Sequence, residues 1–334
     1  MVGRAESWPP LWLSVMRSKG LAFGIRNKSG MGKSQGLIGY HLLAAVVVLI
    51  WGCTFVNSKV LLMHGLAAHE IFALRFFFSY ICIWTISPHR LWANSVKDEL
   101  LFVLLGITGG SLYFVTENEA VRIDYVNNVS FIVCTAPLLT TLLALLFLKS
   151  VKANKGLVLG AIAATLGVAL VVFNGQFMLK LNPLGDLLAL SAALSWAVYS
   201  LLLRRMAGYN VVFVTRKVFF YGLVTVLPMF LIRPWQFPLE GFLKPAVWSN
   251  LLFLGFVASF GCFVFWSWVS KRLGALKASN YIYLNPVSTV VFSALVLDEP
   301  MTWLAYVGSG LILLGVYLSN QGVPRIHFHV RKAS

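Results

Sequence analysis

Charge is what this 334-residue sequence has least of, and acidic charge above all. Eleven Asp and Glu stand against 27 Lys and Arg, and charged residues make up 11% of the chain. A soluble domain carries about 25% charged and roughly 45–50% apolar residues. Here 59% of residues are hydrophobic and the mean hydropathy is +0.81. The shortage argues against a soluble domain and places the chain among polytopic membrane proteins. Cysteine is scarce too: Cys53, Cys82, Cys134 and Cys262 each sit inside an apolar run, none spaced as a metal pair. The six histidines, His41, His64, His69, His89, His327 and His329, lie at the ends of apolar runs or in the C-terminal tail. That scatter argues against a membrane enzyme, and no metal or cofactor is expected. No Walker motif occurs, which argues against a primary pump. Nor is there a ring of like charge or a filter-like repeat of the kind a channel uses. The net charge of +16 falls in short groups between apolar runs, the pattern of a topology signal rather than of a nucleic-acid surface.

Long hydrophobic runs are what the chain has in abundance. Ten apolar segments lie near 38–61, 69–87, 100–120, 124–148, 156–173, 185–203, 211–232, 247–269, 277–297 and 303–320. Most approach the 20 or so residues that a helical span needs, and the short connections predict antiparallel neighbours. Residues 1–36 are basic and irregular and read as a disordered extension, with Met31 a candidate translation start; residues 321–334 form a basic tail. With the N-terminus in the cytoplasm, 21 basic residues face inward and 5 outward, which predicts both termini inside. A bacterial inner membrane is the expected location.

The fourth segment carries Asp124, Asn128, Phe131 and Thr135 on one helical face, and Pro137 interrupts its middle. The same pattern returns from Leu273 to Leu297, with Pro286 in the matching place. Gly106, Phe114, Ser130, Pro137 and Thr140 match Gly255, Phe263, Ser279, Pro286 and Thr289 at an offset of 149. Trp51 matches Trp196 at 145, Arg75 matches Arg216 at 141, and Gly160 and Gly167 match Gly308 and Gly315 at 148. Two repeats follow, residues 37–176 and 183–320. Five spans per repeat is an odd number, so the second copy enters the membrane from the opposite side. The expected fold is an all-α integral membrane protein of ten transmembrane helices in two inverted five-helix repeats, an arrangement in which a central path can open to either side.

Several stretches carry a family resemblance: IWGCTFVNSK (50–59), ALRFFF (73–78), LSWAVYSLLLRR (194–205), YLNPVSTVVFSALVLDEP (283–300) and VGSGLILLGVYL (307–318). In order and spacing the chain resembles the EamA family of the drug/metabolite transporter superfamily, over about Leu37 to Asn320. The resemblance implies ten helices in two inverted repeats, with a pathway lined by helices 1, 3, 4, 6, 8 and 9. It also implies export or exchange of small metabolites such as amino acids. The first repeat departs from the family pattern, with Lys149-Ser150 where an acidic residue is usual, while the second keeps Asp298-Glu299. The small multidrug exporters of the superfamily use a glutamate in their first helix, and this first segment has none.

Polar groups inside spans are costly and face a cavity or a partner. The candidate pathway residues are Trp51 and Thr54 on the first segment; Tyr113 and Glu117 on the third; and Asn128, Phe131 and Thr135 on the fourth. Trp196 and Tyr199 follow on the sixth, Cys262, Phe263 and Trp266 on the eighth, and Tyr281 and Asn285 on the ninth. Pro137 and Pro286 are the candidate helix breaks. Interhelical packing is the competing reading for each. Glu117 and Glu119 point to different faces. Glu117 continues the stripe of the third segment and could carry a proton or bind an ammonium group; alternatively it is an outer-edge carboxylate paired with Arg122. Arg75 could recognise a substrate carboxylate. Pairing with a helix-end carbonyl or an acidic neighbour is preferred, because the second helix is peripheral in the family. The expected function is secondary active transport of small amphipathic metabolites by alternating access; a channel or a non-transporting scaffold is the alternative. The expected partners are the lipid bilayer, a small-molecule substrate, protons as a candidate coupling ion and a second copy of the chain as a candidate homodimer. No nucleic acid is expected.

Overall fold

A computed structural model describes residues 31–86, 92–124, 126–148, 155–173, 182–297 and 303–322. The chain divides into residues 1–39, described only from Met31, and residues 40–334, which hold the helical bundle. Within lipid, backbone N–H and C=O groups have no water to bond, so helices that satisfy themselves are the natural outcome of these apolar runs. They are α1 (Met31–Met63), α2 (Ala68–Ile86), α3 (Val96–Ile123), α4 (Val126–Val133), α5 (Ala136–Phe147) and α6 (Lys155–Phe173). Then come α7 (Pro183–Leu203), α8 (Val211–Ile232), α9 (Pro245–Leu273), α10 (Ala275–Ser279), α11 (Asn285–Leu297) and α12 (Trp303–Gly322). Among the described residues no strand occurs. Seven helical stretches among them are long and apolar enough to cross a membrane. The other three apolar segments of the sequence appear as the shorter apolar helices Lys155–Leu170 and Tyr306–Ser319 and the interrupted run from α10 to α11. Residues 1–30, Lys149-Ser150, Asp298-Glu299 and the tail beyond Gly322 lie outside the described residues.

The surface of the bundle is oily. Leu42, Val46, Leu104, Leu142, Leu146, Leu187, Leu194, Leu227 and Leu231 are all exposed. Exposure on that scale is an error in a soluble monomer and is expected where acyl chains surround the protein.

The two broken segments do not bend at mid-helix. Pro137 lies in the first turn of α5 and Pro286 is the second residue of α11. At a helix start the missing N–H of proline is no loss. The break therefore falls just before each proline, at Cys134-Thr135 and in the 3-10 stretch Asn280–Leu284. The loosened backbone of the second break finds a partner across the bundle, where Cys134 Sγ donates to Ile282 O at 3.6 Å.

A second irregularity is also paired. α3 contains a π stretch, Ile107–Ser111, and α9 contains another, Phe253–Gly261, overlapping it at the repeat offset of 149. Shifting the ladder from i−4 to i−5 leaves a carbonyl without its regular partner. Each π stretch offers such a carbonyl to a side chain from the other half of the sequence. Ser195 Oγ on α7 donates to Thr108 O at 2.8 Å, and Trp51 Nε1 on α1 donates to Ala258 O at 2.9 Å.

Residues matched by the sequence repeat meet in space. Trp51 and Trp196 pack edge to face at 5.2 Å, and Phe114 and Phe263 lie 6.1 Å apart. Helices α6 and α12 run antiparallel in backbone contact. A methyl group at Gly160 would come 2.6 Å from Gly315 O, and one at Gly167 would come 2.6 Å from Gly308 O. Each glycine thus meets the repeat partner of the other. By contrast α3 and α8 run parallel. Glu99 near the start of α3 bonds Lys217 and Tyr221 of α8, and Glu119 near its end bonds Arg233 just past α8 at 2.9 Å.

Two expectations test this packing. Gly167→Val forces α6 and α12 apart, because its obstacle is backbone, and should destabilise the purified protein by about 1–3 kcal/mol. Gly310→Ala, on α12 but with nothing within 4 Å, should be neutral or slightly stabilising in the same thermal melt. Separately, Trp51→Phe should cost about 1–3 kcal/mol more than Trp196→Phe, because only the former orphans a buried carbonyl.

Candidate functional site

Where α1, α2, α3 and α7 converge on the two helix breaks, the bundle encloses a small cavity. Its wall is formed by Trp51, Thr54 and Phe55 of α1, Arg75 of α2, Tyr113, Phe114 and Glu117 of α3, and Val133 and Ala136 beside the first break. Trp196 of α7, Ile282 and Asn285 complete it from the second half of the chain. The space holds about one water molecule, so this conformation is closed to any metabolite.

Helical spacing explains why these side chains share one space. Trp51, Thr54 and Phe55 lie at i, i+3 and i+4 on α1, and Tyr113 and Glu117 at i and i+4 on α3. The Tyr113 hydroxyl donates to Glu117 Oε1 at 2.9 Å. Glu117 is 5% exposed, whereas Glu119, two residues on, turns outward to Arg122 at 2.6 Å and Arg233. The Arg122 pairing weighed for Glu117 thus belongs to Glu119. An aromatic block backs the cavity: Trp266 lies 5.1 Å from Trp51, Phe263 5.8 Å from Trp51, and Tyr199 5.0 Å from Trp196.

Six of the sequence candidates line the cavity: Trp51, Thr54, Tyr113, Glu117, Trp196 and Asn285. Tyr199, Cys262, Phe263 and Trp266 are buried but do not line it. Thr135 sits half-buried at the first break, its hydroxyl turned back to Ile132 O at 2.7 Å, and Phe131 is half-buried on α4. Tyr281 is drawn away to His41 Nδ1 at 2.6 Å. The side chain of Asn128 lies outside the described residues.

Arg75 departs from the preferred sequence reading. It is 1% exposed and lines the cavity. Among the described residues no helix-end carbonyl bonds it and no carboxylate lies within 4.0 Å, although the charge of its acidic neighbour Glu117 acts on it. Its Nε donates to Ser259 Oγ at 2.8 Å, and its guanidinium lies 4.1 Å from the centre of the Phe114 ring. Nη1 and Nη2 have no hydrogen-bond partner among the described residues. The signal was present in the sequence as a charge inside an apolar run, which is costly without a function or a partner. Its central place follows from packing: α2 lies against the π stretch of α9, so its inner face reaches the centre.

The EamA-like transporter family matches this chain over residues 38–173 and again over 183–321. An uncharacterized transporter of Archaeoglobus fulgidus is 25% identical over 288 residues, covering 84% of this chain and 96% of its own. The uncharacterized transporter YyaM of Bacillus subtilis is 30% identical over 239 residues, covering 69% and 75%. A protein of Escherichia coli named "Probable amino-acid metabolite efflux pump" is 24% identical over 296 residues, covering 84% and 95%. One solved crystal structure shares the fold at a TM-score of 0.67 and 17% identity, covering 84% of this chain and 97% of that one. Two family matches, one per half of the chain, join a helical bundle with an oily surface and a polar centre: this multi-pass membrane protein belongs to the EamA-like transporter family.

Proposed function

We propose that the chain is a secondary active exporter or exchanger of small amphipathic compounds, amino acids and their relatives among them. It works by alternating access between two inverted five-helix repeats, residues 37–176 and 183–320. One observation carries the reading. The cavity lies where the repeat partners Trp51 and Trp196 meet, beside both helix breaks, and draws its wall from both halves. Reciprocal contacts support the inversion. Gly160 meets Gly315 and Gly167 meets Gly308, the self-complementary pattern of a two-fold axis. The antiparallel course of α6 and α12 and the parallel course of α3 and α8 are what ten spans with an odd number per repeat require. The export of an amino-acid metabolite, named for the Escherichia coli relative, fits a cavity with an aromatic wall and two opposite charges.

In this reading the protein sits in a bacterial inner membrane with both termini in the cytoplasm. A cysteine placed at Glu240, exposed between α8 and α9, should react with a membrane-impermeant maleimide in intact cells in a cysteine-free background. One at exposed Lys97 should react only after permeabilisation; the reverse pattern would invert the orientation. For transport, the purified protein in proteoliposomes should drive counterflow of at least one labelled compound from a panel of amino acids, amines and carboxylic acids. A folded protein that moves none of them would overturn the reading.

A further inference from the structure

We infer that Arg75 and Glu117 make the cavity a two-charge site that selects zwitterions: Arg75 takes a substrate carboxylate and Glu117 its ammonium group. The inference rests on the transport reading above and deepens it.

The guanidinium is held by one nitrogen and by one face, and both Nη atoms are left over. Nε is fixed to Ser259 Oγ at 2.8 Å and the Phe114 ring lies against the cation at 4.1 Å. Nη1 and Nη2 are buried without a partner among the described residues, in a side chain that lines the cavity. A guanidinium edge with two parallel donors matches the two oxygens of a carboxylate. Leaving such donors dry and unpaired is expensive, so an occupant that satisfies them binds with a large return.

Glu117 faces the same space, with Tyr113 bonded to Oε1 at 2.9 Å. No ion pair within 4.0 Å joins Glu117 to Arg75, although both line one cavity. The two charges act on each other across the cavity without closing into an ion pair, so a guest that enters between them meets both. Charge balance then selects the guest. An anion alone would leave Glu117 unmatched in a dry site, and a cation alone would leave Arg75 unmatched; either penalty is severe at low dielectric. A molecule carrying one charge of each sign matches both. Much of the remaining wall is apolar, with the indoles of Trp51 and Trp196 and the ring of Phe55 among it, which suits an apolar side chain on that zwitterion. Two further orphaned polar atoms, Trp196 Nε1 and Asn285 Oδ1, belong to residues of the same wall. A proton and a substrate ammonium become alternative occupants of Glu117, so loading and release of the amine would be linked to protonation there.

The test uses full-length protein in proteoliposomes, with labelled L-leucine, L-methionine, L-phenylalanine and L-tryptophan as counterflow substrates. The competitors are the matching amino-acid amides, which lack the carboxylate charge, and the deaminated acids, such as 4-methylpentanoate. The wild type should prefer each transported amino acid over both analogues by at least about tenfold. Arg75→Gln should erase the preference over the amide and leave the preference over the deaminated acid. Glu117→Gln should do the opposite. A side chain with a purely structural role would lower all fluxes together and leave these ratios unchanged, and that result would overturn the assignment. Should Arg75→Gln fail to fold, Arg75→Lys keeps the charge but loses the fork, and should still narrow the amide discrimination. Equal competition by amides or acids in the wild type, or flux of amines or acids without amino acids, would sink the inference while transport stands. Absence of all flux across the wider panel would remove the transport reading beneath it.

Discussion

Every irregular stretch of backbone in this bundle has to find its hydrogen bonds inside the protein, because the lipid around it offers none. That constraint explains why the departures from regular helix come in pairs. The π stretch of α3 and that of α9 each leave a carbonyl that a side chain of the opposite half reaches, Ser195 on Thr108 and Trp51 on Ala258. The second break is tied to the first by Cys134 on Ile282. A single π stretch in an isolated half would have an unsatisfied carbonyl in hydrocarbon, at a cost of several kcal/mol. Two halves that satisfy each other remove that cost and become mutually dependent. The centre of the molecule is thus where each half completes the hydrogen bonding of the other.

The same constraint governs the charges. Lys59 Nζ reaches Val121 O at 2.7 Å and Asn182 Nδ2 reaches Ile123 O at 2.8 Å, so the last carbonyls of α3 are capped by a cation and an amide. Glu70 accepts from the backbone of Ala67 and Gln236 and so holds the chain after α8 to the start of α2. These polar groups are matched by backbone. Arg75 differs from other buried groups with unmatched atoms, such as Asn118 and Trp266, in carrying a full charge in the cavity wall.

The sequence alone carried the membrane class, the repeat and six of the cavity residues, because the first is written in composition and the others in spacing. Trp51, Thr54, Tyr113, Glu117, Trp196 and Asn285 each continue a polar or aromatic stripe at helical spacing. What could not be read were departures from that spacing. The π stretches shift the phase of α3 and α9 by one residue, and Tyr281 falls on a 3-10 turn that aims it at His41. The prolines were legible as breaks, but their position at helix starts was not, because a proline serves equally well as a kink or as a first residue. Arg75 was visible as a charge in an apolar run. Which neighbour its helix faces is a tertiary fact, fixed by α2 packing on the π stretch of α9.

The fastenings also join helices of the two halves of the chain. Glu99 bonds Lys217 and Tyr221 at one end of α3, and Glu119 bonds Arg233 near the other, so α3 and α8 are joined at both ends. Helix α2 is joined to α9, by Ser79 Oγ on Gly255 O at 2.8 Å and by Arg75 on Ser259, and to the chain just past α8 by Glu70 on Gln236. These two pairs exchange roles under the repeat, since α2 corresponds to α8 and α3 to α9. Arg75 rides on the α2–α9 pair and Glu117 on the α3–α8 pair. On the proposed transport reading, a guest that bridges the two charges touches helices of both pairs, whereas a guest that meets only one charge touches one.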